Sequence, residues 1–247
     1  MLRKRIIPVL LLKNENLIKT VQFKKYQYIG DPANTCRIFN ELEVDELCFL
    51  DVFASLEKRP PNFKVLQEIS DECFMPLSYG GGISTIEQVE KILKIGFEKV
   101  IFNSATFINS QLIIDCVKLF GSQAIVASID VKKSFLGKNI ICSHHGTKAY
   151  KTSVLNWVKI LEEYGVGEIL LTNIDKEGTW EGIDMDIVNL VSDNSRIPVI
   201  AHGGAGSKSD IQKVLESSNA SAIALGSMVV FQKKGMGVLI NTFYKQI

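Results

Sequence analysis

The chain has 247 residues, 46% of them hydrophobic and 22% charged, with 28 Lys and Arg against 27 Asp and Glu. This is ample apolar material for a large core, and a net charge near +1 leaves no footprint for DNA, RNA or an anionic membrane, so disorder and general nucleic-acid binding are excluded. The length suits one closed eight-stranded α/β barrel.

The opening run, MLRKRIIPVLLLK, is basic then apolar, but it breaks at Lys13, Asn14 and Glu15 without a small-residue cleavage site, so a cytoplasmic protein is expected. Ile6–Leu12 is the first strand candidate. The long segment that follows, KNENLIKTVQFKKYQY, reads as a mobile loop carrying Lys19, a cation able to fold over a bound phosphate. Further strand candidates are Glu46–Asp51, Met75–Tyr79, Lys99–Asn103, Ala124–Asp130, Glu168–Thr172, Pro198–Ala201 and Ala222–Leu225. Between them lie amphipathic stretches such as Thr85–Ile95 and Ser153–Tyr164, whose apolar residues recur at helical spacing. Eight runs apolar on both faces, alternating with helices, imply parallel strands closed into a TM-free TIM-type (β/α)8 barrel. No Pro/Gly/Ser-rich linker divides the chain, so residues 1–247 are expected to form a single domain.

An internal repeat divides that barrel into two duplicated half-barrels. VDELCFLD (44–51) resembles VGEILLTN (166–173), MPLSYGGGIS (75–84) resembles IPVIAHGGAGS (197–207), VIFNSAT (100–106) lies over IALGSMV (223–229), and VLLLK (9–13) lies over SIDVK (128–132). The five cysteines, Cys36, Cys48, Cys73, Cys116 and Cys142, form no C-x-x-C pair and read as buried thiols; no metal or organic cofactor is indicated.

In a parallel barrel the chemistry belongs at the C-terminal strand ends. Gly80, Gly81 and Gly82 let backbone N–H groups approach an anion, and Gly203, Gly204 and Gly206 repeat the device. The polar strand ends Asn103-Ser104 and Gly226-Ser227 would complete two phosphate cradles on opposite sides of one mouth, suiting a ligand with two phosphates. Asp130 closes the strand AIVASID as a candidate proton-transfer acid, with Asp51 and Asp175 as further candidates. His202 is expected to face the mouth, while His144-His145 reads as a loop pair.

The whole chain resembles the cyclase subunit family of imidazole glycerol phosphate synthase, through RIIP (5–8), GDP (30–32), DEL-x-FLD (45–51), GGGI (80–83), NSA (103–105), FGSQ (120–123), ID-x-K (129–132), GEILLT (167–172), D-x-x-GT (175–179) and GGAG (203–206). The resemblance implies a duplicated TIM barrel that receives ammonia from a separate glutaminase subunit, and it adds Thr172 and Gly178 to the ligand contacts. It also implies an ammonia gate at the barrel floor formed by Arg5, Glu46, Lys99 and Glu168, all four ionisable with the family's signs. One departure matters most. The family places an acid at the end of the first strand as well as the fifth; Asp130 matches the fifth-strand acid, but Leu11 stands at the first. Thr20 and His202 stand where the family usually has glycine and a small residue.

Phosphate loops, gate and one acid, with the other acid lost, look like the divergent paralogue associated with amidation of surface-polysaccharide sugars, in which a separate ATP-using amidotransferase consumes the ammonia. The alternatives are a true cyclase of histidine biosynthesis and a non-catalytic bisphosphate-binding subunit that activates a glutaminase allosterically.

Overall fold

The computed structural model describes residues 4–42 and 44–240; the first three residues of the opening run, Glu43 and residues 241–247 of the expected domain lie outside the described residues. In chain order the strands are β1 (Arg5–Lys13), β2 (Asn16–Thr20), β3 (Tyr26–Gly30), β4 (Leu47–Asp51), β5 (Leu77–Gly80), β6 (Lys99–Phe102), β7 (Ile125–Lys133), β8 (Asn139–Ser143), β9 (Lys148–Tyr150), β10 (Glu168–Asn173), β11 (Val199–His202) and β12 (Ala222–Leu225). The helices are α1 (Pro32–Glu41), α2 (Phe63–Glu72), α3 (Ile86–Ile95), α4 (Ser104–Ile108), α5 (Ser110–Phe120), α6 (Val154–Tyr164), α7 (Met185–Ser192), α8 (Lys208–Ser217) and α9 (Ser227–Val230).

Eight strands are parallel in the order β10-β11-β12-β1-β4-β5-β6-β7, and β7 pairs with β10 to close the ring. The fold is the expected (β/α)8 barrel. Each of the eight strand candidates lies on one of these strands, with ends that coincide or differ by no more than two residues, and by three at the end of β7. Local chemistry sets the helix limits: Thr85 and Gln88 form a reciprocal capping box at the start of α3, and Ser153 caps α6, which stops at left-handed Gly165. Among the described residues no helix is long and apolar enough to cross a membrane.

The segment read as a mobile loop is instead a hairpin. β2 pairs antiparallel with β1, Leu11 opposite Ile18, and β3 pairs with β2, because NLIKT continues the apolar surface of β1 beyond the barrel rim. A second hairpin, β8–β9, extends β7 in the same way.

Strand alternation separates two cores. Leu10, Leu12, Phe49, Ile129 and Leu171 pack outward against the helices, whereas Ile7, Val9, Leu11, Cys48, Ile101, Val126, Leu170 and Ile200 fill the barrel. Burying each large aliphatic side chain contributes about 1.5–3 kcal/mol. The inward parity also carries function: Glu168, Leu170 and Thr172 share one face of β10, so the residue on the floor and the residue at the mouth are set by the same two-residue period.

Candidate functional site

At the floor, Arg5 donates to Glu46 at 2.8 Å and also pairs with Glu168, while Lys99 lies 3.2 Å from Glu46 and 3.1 Å from Glu168. Two cations and two carboxylates thus close a ring across β1, the residue before β4, β6 and β10. Each carboxylate meets both cations, which compensates its removal from water. Above the ring a void of about 10 Å³, touched by Cys48, Ser78, Ile101 and Leu170, has room for about one water-sized molecule.

The mouth shows the repeat in atomic detail. Gly81 and Gly203 adopt φ of +134° and +100°, and a Cβ on either would lie 2.5 Å from the Asp51 carbonyl or 2.6 Å from the Asn173 carbonyl, the equivalent oxygens of the two halves. Only glycine fits at both places. The residues opening α4 and α9 match likewise, Thr106 N–H bonding the Asn103 carbonyl at 3.1 Å and Val229 N–H the Gly226 carbonyl at 3.2 Å.

A cavity of about 90 Å³ at the mouth brings together Asp51, Gly81, Gly82, Asn103, Ser104, Asp130, Thr172 and His202, with Leu11 on its wall. Asp130 is buried, and loss of hydration raises its pKa to about 7; the Ser128 hydroxyl, donating at 3.3 Å, opposes this only in part. Register places Asp130 beside Thr172 and Thr172 beside His202. Thr172 Oγ1 and His202 Nδ1 are 3.1 Å apart, and burial, then the Lys19 charge, lowers the imidazole pKa to about 4, so it is neutral near pH 7. On the opposite side Leu11 lies beside Leu50 and Leu50 beside Gly80. These are the repeat equivalents of Asp130, Thr172 and His202. At these three strand positions one half of the mouth is therefore polar and the other apolar.

Other expected residues are held differently. The Asp51 carboxylate accepts from the Phe53 and Ala54 N–H groups at 3.3 and 3.1 Å and from the two terminal Arg59 nitrogens at 3.2 and 3.3 Å, which ties down the loop after β4. Asp175 does not line the mouth cavity; its carboxylate accepts the Lys133 N–H at 2.6 Å. Lys19 sits buried on β2 and pairs with Glu177, beside Gly178, Gly203, Gly204, Gly226 and Ser227.

Sequence reasoning missed Glu177, whose only signal was its place inside D-x-x-GT, and the aromatic cover. Phe23 from the β2–β3 turn stacks on His145 from the β8–β9 turn, with ring centroids 5.0 Å apart, and Phe53 lies 4.6 Å from the same imidazole. His144 donates its N–H to Ser104 at 3.1 Å. Gln22, Phe23, His144 and His145 all take positive φ, so both turns hold backbone that few side chains favour.

Fold and mouth together define a duplicated (β/α)8 barrel with paired glycine loops at the C-terminal strand ends. Within that class, the chain belongs to the histidine biosynthesis protein family, whose sequence model matches residues 5–234. It is 48% identical to a Pseudomonas aeruginosa protein provisionally named imidazole glycerol phosphate synthase subunit hisF2, over 98% of this chain and 96% of the relative. It is 38% identical to the imidazole glycerol phosphate synthase subunit HisF of Streptococcus mutans, over 92% and 91%. Identity to the subunit of that name from Methanococcus vannielii is 35%, over 94% and 93%. The chain is thus a HisF-like barrel.

Proposed function

We propose that this barrel is a subunit of a glutamine-dependent amidotransferase, taking ammonia from a glutaminase partner through the Arg5, Glu46, Lys99 and Glu168 gate and passing it to the mouth. The ammonia it delivers serves amidation of an N-acetyl sugar in surface-polysaccharide biosynthesis, the acceptor step belonging to a separate ATP-using amidotransferase. A phosphorylated small molecule binds at the mouth, with Gly81, Gly82, Asn103 and Ser104 as its cradle.

The observation that carries this reading is Leu11 facing the mouth opposite Asp130. Leucine exchanges no proton at any pH, and its neighbours Leu50 and Gly80 supply no substitute. Losing one general acid or base costs about 100- to 10,000-fold in rate, so a cyclase built this way would be severely crippled. The closed floor ring and the small void above it, in contrast, support conduction of a neutral molecule.

A second reading, a true cyclase, is favoured by one observation: Asp130 titrates near neutrality, where an acid–base catalyst works best. Turnover of the histidine-pathway bisphosphate precursor, with ammonium salt supplied directly, separates the two. The proposal expects no wild-type turnover and a gain in Leu11→Asp. Robust wild-type turnover abolished by Asp130→Asn would refute it. Stimulation of the glutaminase by a bisphosphate that is not itself consumed would instead favour the allosteric subunit.

A further inference from the structure

The two cradles are built from equivalent residues, so the differences between them isolate what each can hold. The first begins with Gly80 and opens into the cavity of about 90 Å³. The second begins with His202, and the space enclosed between Lys19, Glu177, His202, Gly204, Gly226 and Ser227 is about 10 Å³, while a wide groove of about 860 Å³ opens beyond Lys19, Gly178 and Ser227. The enclosed space admits about one water. A phosphate has five heavy atoms.

What fills the second cradle is the protein itself. The Lys19 Cε lies 3.1 Å from the point a Cβ on Gly226 would occupy, Nζ lies 3.6 Å from it, and His202 Nε2 lies 3.8 Å away. Lys19 is 5% exposed and Glu177 1%. The Glu177 carboxylate pairs with the ammonium and also accepts from the Thr20 hydroxyl at 3.0 Å and the Phe23 N–H at 3.2 Å. Lys19, the one Lys or Arg among the described residues lining this cradle, is therefore already paired. Seating a phosphate here requires either packing a dianion against Glu177 or expelling Lys19 and leaving a buried carboxylate without its counter-ion, and both are costly.

We infer that the mouth takes a small ligand carrying a single phosphate monoester, held at the Gly81 and Ser104 side, and that His202 with the Lys19–Glu177 pair excludes a second phosphate. The inference rests on the mouth being a phosphate site. The rest of such a ligand meets Asp130 and Thr172 on one wall and Leu11 and Leu50 on the other, which suits a sugar-sized body with one polar face.

Calorimetric titration of the full chain with inorganic phosphate, glucose 6-phosphate and fructose 1,6-bisphosphate tests this. Wild type should bind one equivalent of inorganic phosphate, lost in Ser104→Asp, and the bisphosphate should bind no more than about threefold tighter than the monophosphate. His202→Gly combined with Glu177→Gln, or His202→Ala with Glu177→Gln if that variant folds poorly, removes both the imidazole ring and the buried carboxylate and should admit a second equivalent and raise bisphosphate affinity tenfold or more. Two equivalents in wild type, or a bisphosphate preference of tenfold, would overturn the inference while leaving the phosphate site standing. A second equivalent absent from both of these double variants would overturn the assignment of these residues as the barrier. No phosphate binding sensitive to Ser104→Asp would overturn the site reading and the inference with it.

Discussion

Asp130→Asn should make the protein more stable at alkaline pH and almost indistinguishable from wild type in acid. Burial raises the Asp130 pKa from 3.8 to about 7. In the folded state the proton is retained up to that pH, whereas in the unfolded chain it is lost near the ordinary carboxylate value. The native state thus binds more protons between the two values, and stability falls as pH rises through that window, reaching its lower plateau above pH 7. A shift of about three units at 1.36 kcal/mol each corresponds to about 4 kcal/mol. At 8% exposure the residue needs little discount for solvent screening. Asparagine keeps the shape, carries no charge at any pH, and still accepts from Ser128. The gain over wild type should be about 4 kcal/mol at pH 8 and under about 2 kcal/mol at pH 5, following the same linkage. In melting temperature the pH 8 gain amounts to roughly 8–16 °C for a chain of this size. Urea unfolding at both pH values, followed by the fluorescence of Trp157 and Trp180, measures it. A variant no more stable than wild type at pH 8, or a gain equally large at pH 5, would refute a buried, neutral-titrating Asp130.

His202 gives the opposite sign: its folded pKa, about 4, lies below the ordinary 6.5, so its contribution is complete above pH 6.5 and is lost as pH falls toward 4. His202→Asn should therefore lose less stability than wild type between pH 6.5 and pH 4.5, by about 2 kcal/mol, read from denaturation midpoints. Gly82→Ala and Gly204→Ala should each destabilise by more than about 2 kcal/mol, because both positions have positive φ and a Cβ would collide with the Arg59 or the Gly182 carbonyl. Equal losses within about 1 kcal/mol, measured by urea unfolding, are expected from the repeat; a harmless substitution at either site would contradict it. Lys99→Met leaves Glu46 and Glu168 with Arg5 alone and should cost about 1–3 kcal/mol, less than a fully buried pair because Lys99 is 20% exposed; unchanged stability would show the ring to be loosely held.

The barrel was legible because its signal is local. Apolar runs of strand length, helical periods such as Thr85–Ile95, and the offset between GGGI and GGAG are all properties of neighbouring residues, and the parity of β10 already fixed Glu168 and Thr172 on one face. The glycine turn after β5 and the position of Asp130 at the mouth followed from strand ends alone. What the sequence left open depends on closure. The segment around Lys19 carries no period strong enough to declare a hairpin until β1 is present to pair with it, and Glu177, 158 residues away, becomes the partner of Lys19 only when the two halves meet. The neutral pKa of Asp130 likewise needs the walls that exclude water, and the stacking of Phe23 on His145 needs both turns over one mouth. Sequence specifies which chemical groups recur and with what period; which of them share a volume, and therefore which charges compensate each other, is decided by the ring that brings β7 back to β10.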